Sequence, residues 1–241
     1  MNLRKMILTK NNCYIAGKKI TVKGIMVHST GANNPWLKRY LPDDGLIGVN
    51  RYGNHWNTPT PGGKKVCVHA FIGKLADGSV ATYQTLPWNH RGWHAGGNAN
   101  NTHIGFEICE DGLSDSAYFS AVYKEAVELC AYLCKEYGLT EKDIICHSEG
   151  YKKGIASNHG DVMHWFPKHG KNMDTFRADV AKLLKADTAL AELTTINDIV
   201  WELAHRGIIT NKELWLKKLE EDTNSYWLAR KTANYLRKMN I

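Results

Sequence analysis

Histidines are concentrated in the stretch from Cys146 to Pro167, which reads CHSEGYKKGIASNHGDVMHWFP. The stretch contains His147, His159 and His164 together with Asp161. Imidazole and carboxylate groups at this density bind a metal, transfer protons or lie in a hydrated loop. The residue types alone do not separate these roles, so the elements that position them must be considered next.

Five short runs of β-branched and apolar residues predict strands. They are ITVKGIMVHST, KVCVHAFIGKL, SVATYQTLP, THIGFEIC and DIICH. The second and third runs flank Asp77-Gly78, a turn signal that predicts a hairpin. His28 ends the apolar part of the first run and His147 ends the fifth. Because adjacent strand ends bring side chains together, we expect these two histidines to lie close to each other.

Helices are predicted between and after these strands. Apolar residues at helical spacing predict a helix over Ser116 to Tyr137, which Gly138 would end. A second helix, capped by Asp174 or Thr175, should run to about residue 184, and Trp165 and Phe166 are assigned to core packing. Strands mixed with helices in this order predict an α/β sheet with helices packed on it. Residues 33–65 have few periodic apolar positions and predict a functional lip.

A catalytic zinc site uses three protein ligands and leaves a fourth position for water. His28 and His147 are candidate ligands at two strand ends, and Asp161 in the following loop is a candidate for the third place. Glu107 lies inside the apolar run IGFEIC. A carboxylate there faces either the core or a cleft, and burying it without a role would be costly. These residues therefore favour a metal site with an adjacent acid.

The motifs resemble those of a known family. MVHST, HAFI with its Asp-Gly turn, GWHAG, NTHIGFEI and ICHSEG occur in the same order as in the zinc-dependent N-acetylmuramoyl-L-alanine amidases of the type-2 amidase and peptidoglycan-recognition fold, found in phage and prophage endolysins. The resemblance covers about residues 20–184. It implies a mixed central β-sheet flanked by helices, and a hydrolase that cleaves the bond between N-acetylmuramic acid and L-alanine in peptidoglycan.

The resemblance also implies one zinc ion per chain, held by His28, His147 and Asp161. Many relatives have a cysteine at the third ligand position, where this sequence has Asp161. His159 and His164 are therefore rivals for that place. If Asp161 is the ligand, His164 and the nearby His169 are ordinary loop residues.

Catalytic and substrate-binding roles follow from the same resemblance. Glu107 matches the catalytic acid/base, and His159 matches a position where relatives place a lysine that stabilises the oxyanion. The residues expected to contact the substrate are His94, Trp93, His69 and Thr30.

The last 55 or so residues predict a separate helical module, giving domains 1–186 and 187–241. Three short amphipathic helices are expected, over Thr195 to Arg206, from a capping box at Thr210 to Glu213, and over about Ser225 to Lys238. Trp201, Trp215, Tyr226 and Trp227 could stack on sugars, although Trp227 is assigned to the core. The module is expected to bind the cell wall, through a secondary wall polymer, or to mediate oligomerisation.

The charge is uneven along the chain. The net charge is +7, and residues 187–241 carry equal numbers of basic and acidic side chains, so the excess lies in residues 1–186. A basic domain suggests an anionic partner. A nucleic-acid-binding protein is disfavoured because the helical module is neutral. A non-catalytic peptidoglycan-binding protein of the same fold is disfavoured because all candidate ligands and Glu107 are present.

Cysteine usage and hydropathy suggest where the protein acts. The six cysteines form no C-x-x-C pair, and all are expected to be reduced thiols that serve as small hydrophobic residues. The apolar run near the N-terminus is too short for a signal peptide, and no segment predicts a membrane span. We therefore expect a protein made in the cytoplasm that acts on the cell wall after release, as endolysins do.

Overall fold

The computed structural model describes residues 1–189, 193 and 195–239. The chain divides into two compact units, Met1–Leu184 and Lys185–Ile241, called here the N-terminal and C-terminal units. Among the helices in the described residues, none is long and apolar enough to cross a membrane. The predicted domains, 1–186 and 187–241, follow nearly the same division, and their roles are considered below as proposals.

Six strands form one mixed sheet in the N-terminal unit. They are β1 (Leu3–Lys5), β2 (Gly24–Asn33), β3 (Ala70–Lys74), β4 (Val80–Gln84), β5 (His103–Glu110) and β6 (Ile144–Cys146). Their order across the sheet is β1-β4-β3-β5-β2-β6. Strands β3 and β4 are antiparallel and form the predicted hairpin, whereas the other neighbouring pairs are parallel. The predicted mixed sheet flanked by helices is confirmed.

The helices of this unit are α1 (Asn12–Ala16), α2 (Ser116–Tyr137), α3 (His147–Lys152) and α4 (Met173–Ala189). Helix α2 has the predicted bounds. The Asp115 carboxylate accepts from the first free amides of α2, and Gly138 ends the helix in the left-handed conformation, with φ 64°. The start of α4 differs from the prediction. Asn172 caps it by accepting from the Thr175 amide at 2.9 Å, so neither Asp174 nor Thr175 is the cap.

Side chains alternate between the two faces of β2 and β5. Ile25, Val27 and Phe106 are fully buried in the core that α2 and α4 cover. His28 and Glu107 are offset from these by one residue, so they face the opposite side of the sheet. The helix-covered face stabilises the fold, and the other face is left to carry the site.

Residues 33–65, the predicted lip, fold onto this second face of the sheet. They contain two short 3-10 helices, Leu37–Arg39 and Pro61–Gly63. Tyr40 is buried and stacks on Phe71 of β3 with ring centroids 5.0 Å apart. The segment therefore has an apolar core of its own against the hairpin. On the other face, the assignment of Trp165 and Phe166 to the core is confirmed, since both are fully buried.

Cys13 and Cys67 form a disulfide across 54 positions of sequence. The prediction that all six cysteines are reduced thiols is wrong for this pair. Polar contacts at the start of α1 bring the two segments together, because the Asn11 side-chain amide donates to the Val66 carbonyl at 3.0 Å. Such a long-range contact leaves no spacing signal in the sequence. The remaining cysteines are buried free thiols, as predicted, namely Cys109, Cys130, Cys134 and Cys146.

Three helices lie wholly within the described residues of the C-terminal unit, α5 (Ile196–His205), α6 (Lys212–Glu221) and α7 (Thr223–Met239). Helix α5 lies within the predicted range of Thr195 to Arg206, and Thr195 caps it by accepting from the Asp198 amide. Helix α6 begins one residue later than predicted, because Asn211 rather than Thr210 accepts from the Leu214 amide. Apolar side chains from all three helices form one small core.

The prediction that Trp227 fills this core is wrong, since the side chain is 51% exposed. Helix α7 turns Tyr226, Ala229 and Ala233 inward, and residue 227 lies outside that stripe at 3.6 residues per turn. The Trp227 ring instead lies 5.5 Å from the guanidinium carbon of Arg230. Trp201 is also more than half exposed, so two indoles of this unit face solvent.

Candidate active site

The centre of the site is built by β2, β5 and β6 at one end of the sheet. In the parallel pairing of β2 with β5, His28 lies opposite Glu107. On the other side of β2, Val27 pairs with Cys146, the last residue of β6. His147 follows immediately as the first residue of α3. Parallel strands therefore place two histidines and a glutamate at neighbouring positions.

Three side chains converge at this point, His28, His147 and Asp161. One possible ligand atom from each lies within 4.8 Å of the others. The His28 Nδ1 atom lies 3.0 Å from Asp161 Oδ2 and 3.1 Å from His147 Nδ1. His147 Nδ1 lies 3.6 Å from Asp161 Oδ1. The loop after α3 thus brings the Asp161 carboxylate close to both His28 and His147.

The far nitrogen of His28 is held by a second histidine. His28 Nε2 lies 2.9 Å from His94 Nδ1, and His94 Nε2 lies 3.2 Å from the His103 carbonyl oxygen. A carbonyl only accepts, so His94 Nε2 carries the proton and the neutral His94 ring accepts through Nδ1. His28 must then donate from Nε2, which leaves the lone pair of its Nδ1 directed at the cluster.

His147 is oriented in the same way by Ser157. The serine Oγ donates to the Ala95 carbonyl at 3.2 Å and lies 3.2 Å from His147 Nε2. Its lone pair can therefore accept from a protonated His147 Nε2. Both histidines consequently present an unprotonated Nδ1 towards Asp161, the arrangement that metal ligation requires.

The donor set fits a small divalent cation. Bond lengths of about 2.0–2.1 Å at tetrahedral angles put ligand atoms roughly 3.3 Å apart. The three distances between His28, His147 and Asp161 span 3.0 to 3.6 Å. Two lone pairs on Nδ1 atoms and a carboxylate also match the nitrogen and oxygen ligands of catalytic zinc sites.

Titration of the cluster follows from burial. Burial and the neighbouring His28 lower the pKa of His147 to about 4, so its ring is neutral at pH 7. Burial raises the pKa of Asp161, but its close contacts with His28 and His147 lower it by more, so the pKa lies below its usual value. A neutral imidazole and an ionised carboxylate are the protonation states that bind metal.

Glu107 lies beside this cluster, and one of its carboxylate oxygens does not contribute a hydrogen bond to the described fold. Its Oε2 atom is buried and makes no hydrogen bond within the described residues. Burial raises the pKa of Glu107 well above its usual value, and the carboxylates of Asp161 and Glu110 add to the shift. A buried, unpaired carboxylate is costly, and a raised pKa is typical of residues that exchange protons.

The two histidines that rivalled Asp161 as ligand lie elsewhere. His164 Nε2 lies 2.9 Å from Glu110 Oε1, and Glu110 is not a member of the His28, His147 and Asp161 cluster. His159 is exposed, and its Nδ1 lies 3.0 Å from the Ser157 hydroxyl and 3.3 Å from His147 Nε2. The structure therefore gathers His28, His147 and Asp161, with His159 at the outer edge.

The structure does not support the expectation that His69 contacts the substrate. Its side chain is fully buried, Nδ1 accepts from the Gly105 amide at 3.0 Å and Nε2 donates to the His90 carbonyl at 2.8 Å. Both nitrogens thus bridge backbone segments. Burial lowers the pKa of His69 to about 4. This histidine links strand β5 to the 90s loop and has no surface for a ligand.

The other three residues of that set have different surroundings. Trp93 is 41% exposed and is open to a ligand. Thr30 lies past His28 on β2 and its hydroxyl accepts from the Glu110 amide at 3.2 Å. The His94 ring lies behind His28 and packs over Gly105, where an added Cβ would be 2.3 Å from the ring. The structure thus places His94 against His28 instead of on an open cleft wall.

Several residues that organise the site were not singled out from the sequence. Ser157 orients His147, Gly105 makes room for His94, and Asn100 accepts from the amides of His94 and Ala95 at 2.8 and 2.9 Å. Their only sequence signal is position: Gly105 lies within NTHIGFEI, Asn100 follows GWHAG, and Ser157 comes shortly before Asp161. Two imidazoles and a carboxylate that could hold a metal ion, next to a glutamate with a buried carboxylate oxygen, are an arrangement typical of metal-assisted hydrolases.

Comparison with known proteins identifies the family. The family model described as N-acetylmuramoyl-L-alanine amidase matches residues 18–164, well over half of the chain. The chain therefore belongs to the N-acetylmuramoyl-L-alanine amidase family of peptidoglycan hydrolases. The N-acetylmuramoyl-L-alanine amidase XlyA of Bacillus subtilis (strain 168) is 38% identical over 68 residues, which are 27% of this chain and 22% of XlyA. The match thus spans about a fifth of that relative.

Solved structures share the fold at low sequence identity. The hydrolase AmiA of Staphylococcus aureus, solved with its ligand, has a TM-score of 0.54 and 18% identity over 78% of this chain and 84% of its own. PlyL has a TM-score of 0.51 and 19% identity over 75% of this chain and 97% of its own. The catalytic domain of XlyA has a TM-score of 0.51 and 22% identity over 75% of this chain and 99% of its own. These likenesses support the fold.

Proposed function

We propose that this protein hydrolyses the amide bond between the lactyl group of N-acetylmuramic acid and L-alanine in bacterial peptidoglycan. The observation that carries the proposal is the convergence of two Nδ1 lone pairs and the Asp161 carboxylate beside the unpaired carboxylate of Glu107. Family membership supports this choice of bond.

One zinc ion per chain would be held by His28, His147 and Asp161. When bound there, zinc lowers the pKa of a water molecule towards about 7 and polarises the scissile carbonyl. His94 and Ser157 keep the ligand nitrogens unprotonated. The burial of His28, which is 1% exposed, excludes bulk water from one side of the site.

Glu107 would act as general base and then general acid. Its position opposite His28 in the strand pairing puts the carboxylate next to the ligand cluster. It would accept the proton of the attacking water and pass it to the amine that leaves with L-alanine. The raised pKa of Glu107 favours this return of the proton to the leaving group.

His159 and Trp93 would contact the substrate. His159 uses Nδ1 in hydrogen bonds with its neighbours, so a protonated ring could donate from Nε2 to the oxyanion that forms at the carbonyl carbon, typically an effect of a few kcal/mol. The exposed indole of Trp93 would pack against the peptide or sugar next to the bond. Thr30, two residues after His28 on β2, would contact the substrate at that end of the strand.

His94 is proposed as a positioning residue for zinc, and replacing it tests this role. His94→Ala should weaken zinc binding about 10- to 100-fold, the usual effect of removing a group that orients a ligand histidine. His94→Gln should restore part of the affinity, since its side-chain oxygen can accept from His28 Nε2. Zinc affinity is measured by competition with a chelating dye, at matched folded fraction.

His164→Ala is the control for that series. His164 is close in sequence to Asp161 but is bound to Glu110, so its loss should leave zinc affinity unchanged. If His164→Ala weakened zinc binding while His94→Ala did not, the assignment of both residues would be wrong.

The activity is tested with a defined substrate, N-acetylmuramyl-L-alanyl peptide, and the zinc-loaded protein. The expected products are the free sugar acid and a peptide with an L-alanine amino terminus, separated by chromatography and identified by mass. Binding of the muropeptide without any cleavage would instead indicate a non-catalytic peptidoglycan-binding protein of the same fold.

The C-terminal unit is proposed to attach the enzyme to the wall. Two solvent-exposed indoles, Trp201 and Trp227, are suited to stacking on sugars, and a second attachment point raises the local enzyme concentration on an insoluble polymer. A secondary wall polymer is the proposed ligand. Residues 187–241 carry as many acidic as basic side chains, so sugar stacking would contribute more than charge.

A truncated chain tests this role. A fragment of residues 1–189, which keeps α4 whole, should cleave soluble muropeptides at the full-length rate but clear intact cells several-fold more slowly, because only the tether is lost. Full-length Trp201→Ala/Trp227→Ala should behave like the fragment. Equal clearing by all three proteins would leave dimerisation or stabilisation as the role of the unit.

A further inference from the structure

Strand β6 forms the edge of the sheet next to the proposed zinc site. It has three residues, Ile144–Cys146, and it is the last strand in the sheet order, beside β2. His147 follows it directly as the first residue of α3. A short edge strand is held by few backbone hydrogen bonds. Any displacement of β6 would therefore move His147 relative to His28 on β2.

Two side chains bind the backbone of β6 in addition to its neighbour β2. The Arg177 Nη1 atom donates to the Ile144 carbonyl at 3.1 Å, and the Cys146 amide donates to Glu149 Oε2 at 3.1 Å. These are the first and last residues of the strand. Because the sheet ends at β6, the side chains supply hydrogen bonds that a further strand would otherwise make.

Arg177 and Glu149 are also joined to each other. Arg177 Nη1 donates to Glu149 Oε2 and Nη2 donates to Oε1, both at 3.0 Å. The two side chains are 21% and 27% exposed, so the pair is largely shielded from solvent. Two parallel hydrogen bonds between a planar guanidinium and a carboxylate fix the orientation of both groups. The pair thus connects α4 to α3 and to both ends of β6.

The helix that carries Arg177 is fixed in the fold. Phe176 and Val180 of α4 are fully buried in the main core. Helix α4 begins at Met173, after the residues 18–164 that match the family model. His28 lies on β2, between β5 and β6, whereas His147 follows an edge strand. Of the two histidines, His147 is therefore the one whose position depends on a side chain from α4.

We propose that Arg177 is a positioning residue for the metal site, because together with Glu149 it fixes β6 and hence the place of His147; this inference rests on the zinc centre of the proposed function. His94 and Ser157 determine which nitrogen of each histidine faces the cluster, whereas Arg177 determines where the backbone of His147 lies. Loss of Arg177 leaves all three ligands present but less well preorganised. Zinc affinity should then fall without being abolished.

Zinc affinity of the full-length protein tests this role, measured by competition with a chelating dye at a temperature where every variant is fully folded. Arg177→Gln should weaken zinc binding about 10-fold, the lower end of the usual effect of a group that positions a ligand. Arg177→Lys should lose most of the same affinity, because an ammonium group cannot replace the planar guanidinium. Arg177→Gln and Glu149→Gln combined should weaken binding by less than the product of their separate effects, because both act through one pair.

The matched control is Asp179→Asn on the same helix, which breaks the ion pairs of Asp179 with Lys171 and Lys182. It should lower the melting temperature and leave zinc affinity unchanged. Equal weakening of zinc binding by Asp179→Asn, or wild-type affinity in an Arg177→Gln protein that melts earlier, would reduce Arg177 to a stabilising residue and overturn the proposal. Zinc binding without cleavage of muropeptide would refute the amidase activity and leave this comparison intact, whereas a wild-type protein that binds no zinc would overturn both.

Discussion

Replacing His28, His147 or Asp161 with alanine should remove zinc and peptidoglycan hydrolysis together. The nearest nitrogen and carboxylate oxygen atoms of the three side chains lie 3.0 to 3.6 Å apart, and a catalytic zinc site with three protein ligands has none to spare. We expect each variant to retain less than about a tenth of the zinc content after dialysis and no measurable turnover, since the metal supplies the nucleophile. Metal content is measured by mass spectrometry and turnover with the defined muropeptide.

Circular dichroism and thermal unfolding must show that each variant is folded. His159→Ala provides the comparison, because this residue lies next to His147 but outside the ligand set. It should keep zinc while losing part of the turnover. If Asp161→Ala kept its zinc while His159→Ala or His164→Ala lost it, Asp161 would not be the third ligand.

Glu107→Gln should leave the fold and the zinc in place and lower turnover about 10²- to 10⁴-fold, the usual contribution of a general acid/base. The substitution keeps the shape of the side chain and removes only its ability to accept and return a proton. Burial already holds the pKa of Glu107 well above its usual value, so the neutral amide is tolerated. Turnover and zinc content are measured on the same sample.

Glu110→Gln is the control for that experiment. Glu110 is a second buried carboxylate on β5, but it accepts from the Gly31 amide and pairs with His164, so its change should affect stability more than the chemical step. A Glu107→Gln protein that turns over at the wild-type rate would exclude Glu107 as the proton-transfer group.

Much of the fold could be predicted from local patterns. Helix α2 is predicted by the spacing of its apolar residues, by a cap at its start and by a glycine at its end. The hairpin is predicted by the turn signal Asp77-Gly78. The convergence of His28 and His147 followed from their places at the ends of apolar strand runs. Neighbouring parallel strands bring their carboxyl ends to the same edge of the sheet, and this rule of backbone geometry needs no knowledge of tertiary contacts.

The contacts that depend on tertiary structure could not be predicted. His94 and His69 are both histidines near the family motifs, yet His94 lies against the candidate ligand His28, whereas His69 bridges two backbone segments inside the core. The difference lies in which atoms surround each ring, and a single sequence does not contain that information. The Cys13–Cys67 bond was missed for the same reason, since 54 positions separate its cysteines.

The identity of the amino acid at the new amino termini tests the central claim most directly. Purified cell wall is digested with the zinc-loaded protein, the released amino groups are labelled, and the labelled residue is identified after acid hydrolysis. Amide cleavage next to N-acetylmuramic acid predicts labelled L-alanine, appearing in step with digestion and absent with Glu107→Gln. Labelled glycine or D-alanine, or new reducing sugar ends without any new amino group, would show that a different bond is cut and would contradict the proposed activity.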